Sequence, residues 1–108
     1  MREVTLLEEI ILTTIWRLKE DAYGVAIRKK VSEILKKDLF YGTLYNALDQ
    51  LVKKGYVSKE KSEPISSRGG RSRMYYTLTQ EGIQALERAR ELHQLIWENL
   101  PRLAKNKR

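Results

Sequence analysis

An α-α-α-β-β-α order, mainly helical with one small β-hairpin, is the architecture this sequence predicts, and three observations predict it. Apolar residues recur at three- and four-residue spacing in three separate stretches before Gly55 and in a fourth after Gly82. Between the third and fourth stretches lie two short runs of β-branched and aromatic residues, separated by a polar loop containing Gly69-Gly70. Gly55 closes the third pattern and Thr79 opens the fourth, where a helix stop and a helix N-cap belong.

The first helix is carried by Leu6, Leu7, Ile10, Ile11, Ile15 and Leu18, with Glu8, Glu9 and Arg17 between them. A polar break at Lys19-Glu20-Asp21 precedes Tyr23-Gly24, after which Val25, Ile27, Val31, Ile34 and Leu35 mark a second helix ending near Lys37. Asp38, Leu39 and Phe40 make a short connection to the third helix, whose buried stripe is Leu44, Ala47, Leu48 and Leu51. Helices joined by so short a turn form a helix-turn-helix. Residues 56–61 and 73–78 have strand character, and Pro64, Ser66, Ser67, Gly69 and Gly70 supply the turn that folds them into a hairpin. The last stripe runs through Ile83, Leu86, Ala89, Leu92, Ile96, Leu100 and Leu103, with a bend or local end at Pro101. Residues 1–82 thus read as a winged helix-turn-helix, residues 83–104 as a C-terminal helix of the same compact unit, and residues 105–108 as a frayed basic tail.

Composition narrows the function. With 108 residues and 42% hydrophobic content the chain suits one domain, and no run approaches the roughly 18 apolar residues of a membrane span. Met1-Arg2-Glu3-Val4 leads straight into an amphipathic pattern without a signal-peptide core, so a cytoplasmic location is expected and no membrane partner. Zero cysteines, one histidine and no phosphate-binding loop leave no nucleophile-base pair, no metal cluster and no call for a cofactor. The expectation is a binding protein rather than an enzyme.

Charge indicates what is bound. Residues 53–73 hold seven basic side chains against two acids, a net +5 of the chain's +7. Such a cluster suits a polyanion, and beside a helix-turn-helix the polyanion is double-stranded DNA. With Leu44, Leu48 and Leu51 inward, Thr43, Asn46 and Gln50 point outward and are the base-reading candidates. Asn and Gln match the paired donor and acceptor of adenine, and Thr can touch a thymine methyl. Tyr41 and Tyr45 suit phosphate oxygens, and Gly42 stands at the helix start, whose free N–H groups favour an anion. In the hairpin, Lys59, Lys61, Arg68, Arg71 and Arg73, with the Gly69-Gly70 turn, are the candidates for gripping phosphates or entering a minor groove. The alternative is a winged helix used only for protein interaction, which would lack the steep salt dependence of DNA binding.

Tyr23-Gly24, the run Gly42-Thr43-Leu44-Tyr45-Asn46-Ala47-Leu48 with Leu51 and Gly55, and Gly69-Gly70-Arg71 followed by Tyr75-Tyr76-Thr77-Leu78-Thr79 and Gly82 together resemble the PadR-like transcriptional regulators. The resemblance spreads over most of residues 6–82. It implies a homodimeric, repressor-type DNA binder, with Tyr45 matching a tyrosine usual in the family's recognition helix. With the short stretch after Gly82, the chain looks like the small class of that family, for which a single dimerisation helix is expected.

The residues themselves also suggest a dimer. Leu86, Ala89, His93, Ile96, Leu100 and Leu103 follow alternating three- and four-residue steps, the seam of a helix pair, and Leu92 and Trp97 widen it. Leu7, Ile11 and Ile15 of the first helix are expected to pack against the partner's last helix. Two recognition helices about 34 Å apart would then read a palindromic operator. In some small relatives an aromatic residue near the dimer centre stacks on flat hydrophobic ligands. The resemblance makes Trp97 its counterpart, and with it the candidate site for a small hydrophobic or aromatic effector.

Overall fold

A computed structural model describes residues 3–105 of the chain. Its elements follow the expected order: α1 (Leu6–Leu18), α2 (Gly24–Leu35), α3 (Tyr41–Lys53), β1 (Val57–Lys61), β2 (Met74–Leu78) and α4 (Gln80–Trp97). Single 3-10 turns occupy Lys19–Asp21, Ser66–Arg68 and Leu103–Lys105. Of the tail expected to fray, residues 106–108 lie outside the described residues. Among the described residues no helix is long and apolar enough to cross a membrane.

α1 begins with a capping box. Thr5 accepts from the Glu8 N–H at 3.1 Å, and the Glu8 carboxylate accepts from the Thr5 N–H at 2.9 Å. The same carboxylate receives the Lys54 ammonium at 2.7 and 2.9 Å, so the start of α1 is tied to the end of α3. Both side chains are largely buried, and this ion pair withdraws Lys54 from the positive charge counted around the hairpin. α3 stops where expected: the Gly55 and Tyr56 N–H groups return to the Val52 and Leu51 carbonyls, closing the last turn.

α1 runs through the middle of the molecule, in contact with α2, α3, α4 and β2. Around it gather Ile27 and Val31 of α2, Leu44, Leu48 and Leu51 of α3, Tyr56 and Val57, Tyr76 of β2 and Ala85 of α4. This corrects part of the dimer reading. Ile11 and Ile15 are 0% and 3% exposed in the core of a single chain, and Leu7 packs half-buried against it. α1 is apolar on more than one face, so periodicity could not tell which stripe its own chain would cover.

β1 and β2 pair antiparallel, with Lys59 opposite Tyr76 and Lys61 opposite Met74. Cross-strand partners share a face, so both lysines lie on the side of the hairpin that carries Tyr76. The connection before α2 joins this sheet: Tyr23 bridges to Tyr75, and the Tyr76 N–H donates to the Ala22 carbonyl at 2.8 Å. The wing is thereby hydrogen-bonded to the entrance of the helix-turn-helix.

α4 starts at Thr79, whose hydroxyl accepts from the Gly82 N–H, and ends at Trp97, short of the expected 104. A proline ring clashes with the carbonyl four residues earlier and disfavours helical geometry in the residue just before it. For Pro101 that carbonyl is Trp97, and Asn99 takes a positive φ of 64° as the chain turns away. Leu100 and Leu103 therefore follow the helix instead of extending it. His93 stays exposed, and its Nε2 lies 2.9 Å from Glu9 Oε1, a contact that ties α4 to α1 of the same chain. Beyond residue 90 every α4 side chain is exposed. The Cα radius of gyration of 16.5 Å, against about 13 Å for a compact 100-residue domain, reflects the projection of this half-helix from the core.

Candidate nucleic-acid interface

α3 buries Leu44, Leu48 and Leu51 and leaves Tyr41, Gly42, Thr43, Asn46 and Gln50 exposed. Its N-cap, Phe40, makes no side-chain cap bond, so the first N–H groups of the helix stay open at the surface. Tyr41 and Tyr45 stack with ring centroids 6.2 Å apart, and the Arg28 guanidinium lies over the Tyr41 ring at 4.5 Å. Arg28 also donates to the Leu39 carbonyl, bracing the turn between α2 and α3. Nothing in the apolar pattern of α2 singles out Arg28, and only the fold places it beside the exposed start of α3.

Tyr45 reaches from α3 to the first turn of α2. A Cβ at Gly24 would fall 2.0 Å from the Tyr45 hydroxyl oxygen, so glycine there is what lets the tyrosine lie across the helix. Beneath it Tyr76 is buried, and burial pushes its hydroxyl above the ordinary tyrosine range, with Tyr45 and Asp49 adding to the rise. It remains a neutral donor at physiological pH.

The wing is an ordered loop. Gly69 and Gly70 take φ of 68° and 79°, which lets the Gly69 and Gly70 N–H groups close onto the Ser66 and Ile65 carbonyls. Arg68 turns inward, donating to Ser62 Oγ and the Glu63 carbonyl at 3.3 Å each and to the Arg71 carbonyl at 3.4 Å. Its guanidinium braces the loop. Arg71 is exposed, and among the described residues its guanidinium donates only through Nε, to the Arg68 carbonyl. Arg73 is pinned at its backbone, where its N–H donates to Ser62 Oγ and its carbonyl accepts from the Ser62 N–H. The Arg73 guanidinium lies over the Tyr23 ring at 4.0 Å.

These parts meet in a cleft of about 550 Å³ lined by Tyr23, Gly24, Tyr45, Arg68, Arg71 and Arg73. The fold so brings the exposed face of α3 beside the wing arginines, with Lys59 and Lys61 exposed on the adjoining strand. Cations and free N–H donors around an open groove suit a phosphodiester backbone, and exposed amides on a helix suit base edges. Trp97, the effector candidate, stands apart at the end of α4 and is 55% exposed. Among the described residues no group of acidic, histidine or cysteine side chains is placed to hold a metal ion.

A family model described as the transcriptional regulator PadR-like family matches residues 11–88. Among solved structures, a PadR family transcription regulator from Clostridium difficile R20291 is 32% identical, with a TM-score of 0.72 over 85% of this chain and 91% of that one. RosR from H. salinarum is 31% identical, with a TM-score of 0.69 over 93% of this chain and 83% of the other. A PadR-like regulator from Bacillus cereus shares the fold at a TM-score of 0.75 over 94% of each chain, with 22% identity. No curated protein matches the chain.

Proposed function

The chain belongs to the PadR-like family of transcriptional regulators, which are not enzymes, and from that premise we propose that it is a homodimeric repressor of a palindromic operator in double-stranded DNA. The observation that carries this reading is the cleft that sets Tyr45 of α3 against Arg71 and Arg73 of the wing. α3 then lies in the major groove, where Asn46 and Gln50 pair with base edges and Thr43 meets a thymine methyl. Arg71, Arg73, Lys59 and Lys61 contact the backbone or the adjacent minor groove, and Arg68 keeps the wing in shape for them.

The homodimer rests on the far half of α4, where Leu92, Leu95, Ile96 and Trp97 are all at least half exposed. Leu95, 67% exposed, escaped the seam read from the sequence, although Leu92, Leu95 and Ile96 repeat at the spacing of one helix face. Isolated exposed leucines are ordinary, but a contiguous stripe on a projecting helix is a surface that a second copy buries.

Retention of genomic DNA fragments on the purified protein tests the reading. The retained fragments are expected to share a two-fold motif with half-sites about 34 Å apart. On that operator, Asn46→Ala changes base preference by about 1–3 kcal/mol at one position, while Arg71→Ala weakens binding to every sequence. Affinity falls with salt at a log-log slope of about −0.9 per phosphate contact. No common motif together with a flat salt response would leave the protein-interaction role instead.

A small planar hydrophobic effector that releases the DNA is read at Trp97, whose exposed indole offers a stacking face near the proposed seam. In a Trp16→Phe background the remaining fluorescence reports Trp97 alone, and planar aromatic compounds are expected to quench it and to lower operator affinity. Unchanged emission across a broad panel argues against an effector at this site.

A further inference from the structure

We propose that Tyr23 is a positioning residue for DNA binding, its ring holding the Arg73 guanidinium in the cleft so that all of that group's N–H donors remain free for a phosphate. The proposal rests on the DNA-binding reading of the wing and goes beyond it by assigning work to a residue outside the recognition helix and the hairpin. Three wing arginines are present, and the structure treats them differently. Arg68 and Arg71 direct guanidinium N–H groups at carbonyls or a hydroxyl of their own loop. Among the described residues the Arg73 guanidinium has no hydrogen-bond acceptor, yet it is held, 4.0 Å from the centre of the Tyr23 ring.

The chemistry of that contact matters. A carbonyl or carboxylate that fixes an arginine consumes part of its donor fork and, if charged, cancels its attraction for DNA. An aromatic face attracts the cation through its quadrupole and leaves the in-plane N–H groups unused. Arginine loses considerable rotamer freedom when it grips a phosphate, so holding the side chain beforehand lowers that cost. Tyr23 is itself fixed: its backbone bridges to Tyr75, its ring meets the Tyr75 ring edge-on at 5.7 Å, and its carbonyl accepts the Ile27 N–H at the start of α2. The arginine is therefore referred, through one rigid ring, to both the wing and the helix-turn-helix.

Fluorescence anisotropy with a labelled duplex of arbitrary sequence tests this, because a phosphate contact is independent of sequence. Tyr23→Phe keeps the ring and is expected to bind as the parent does. Tyr23→Leu is expected to lose affinity by about two- to fivefold, the range for an exposed cation–π contact. Arg73→Ala loses at least as much and reduces the salt slope by about 0.9. Combining Tyr23→Leu with Arg73→Ala adds nothing to Arg73→Ala alone, a non-additivity that a general packing defect would not produce. Circular dichroism and thermal melting establish that each variant is folded. Should Tyr23→Leu not fold, Tyr23→Met takes its place, keeping an apolar side chain of similar reach without the aromatic face, and the same loss of about two- to fivefold supports the proposal. Normal affinity of folded Tyr23→Leu, additive losses, or normal affinity of Tyr23→Met where Tyr23→Leu cannot be used overturns the positioning role. An Arg73→Ala variant with undiminished affinity instead overturns the DNA reading of the wing arginine itself.

Discussion

Glutamate at both Leu92 and Leu95 is expected to give a folded monomer whose affinity for a palindromic operator falls by about 100-fold or more, the scale at which linked half-sites exceed one. In a single chain the two leucines are 50% and 67% exposed, and neither belongs to the core. Replacing them should therefore leave helix content and the core of the protomer unchanged. In a dimer the same change introduces charge at the seam on both protomers. Each leucine, already part-covered by its own chain, contributes about 1–2 kcal/mol when a partner covers the rest, and the carboxylates add desolvation and mutual repulsion. Sedimentation and circular dichroism separate the two levels: half the parent mass with a native spectrum is the expected result. A variant that remains dimeric would move the interface elsewhere, and a monomer with undiminished operator affinity would show that one protomer suffices.

Gly82→Ala is expected to destabilise the fold by about 3 kcal/mol or more, although alanine is normally the better helix former by roughly 1 kcal/mol. The reason is backbone against backbone. A Cβ at this position would lie 2.1 Å from the Tyr56 carbonyl oxygen and 3.0 Å from its carbon. That carbonyl cannot yield, since it also accepts the Thr79 N–H at 3.0 Å, while the Thr79 hydroxyl donates to the Gly55 carbonyl at 2.6 Å. The first turn of α4, the end of α3 and the start of β1 are locked together at one point. At roughly 4–8 °C per kcal/mol for a domain of this size, the melting temperature should fall by more than about 12 °C. A melting temperature at or above the parent's would mean that the close approach relaxes at no cost.

The elements were legible because their causes are local. The stripe of Leu44, Leu48 and Leu51, the stop at Gly55, the positive φ at Gly69 and Gly70 and the cap at Thr79 each depend on a few neighbouring residues. One local signal went unread: Thr5-x-x-Glu8, the capping box that starts α1. The exposed residues of α3 also followed from the buried ones, because helix geometry fixes their directions together.

What periodicity left open was which partner covers each face. α1 offers Leu6, Leu7, Ile10, Ile11 and Ile15, and only packing decided that Ile11 and Ile15 belong to the chain's own core while Leu6 stays 68% exposed. The three- and four-residue steps of α4 also gave no sign that the exposed His93 meets the Glu9 carboxylate on α1 of its own chain. Charge counting likewise treated Lys54, Arg68 and Arg73 as equivalent, whereas a carboxylate takes the first, loop oxygens the second and an aromatic ring the third. The sequence by itself determined the order of helices and strands and the outward face of α3, since φ preferences and side-chain directions act within a few residues. Tertiary structure alone decided which cations are free to meet DNA, because that depends on contacts between groups far apart in the chain, as Lys54 with Glu8 and Arg73 with Tyr23.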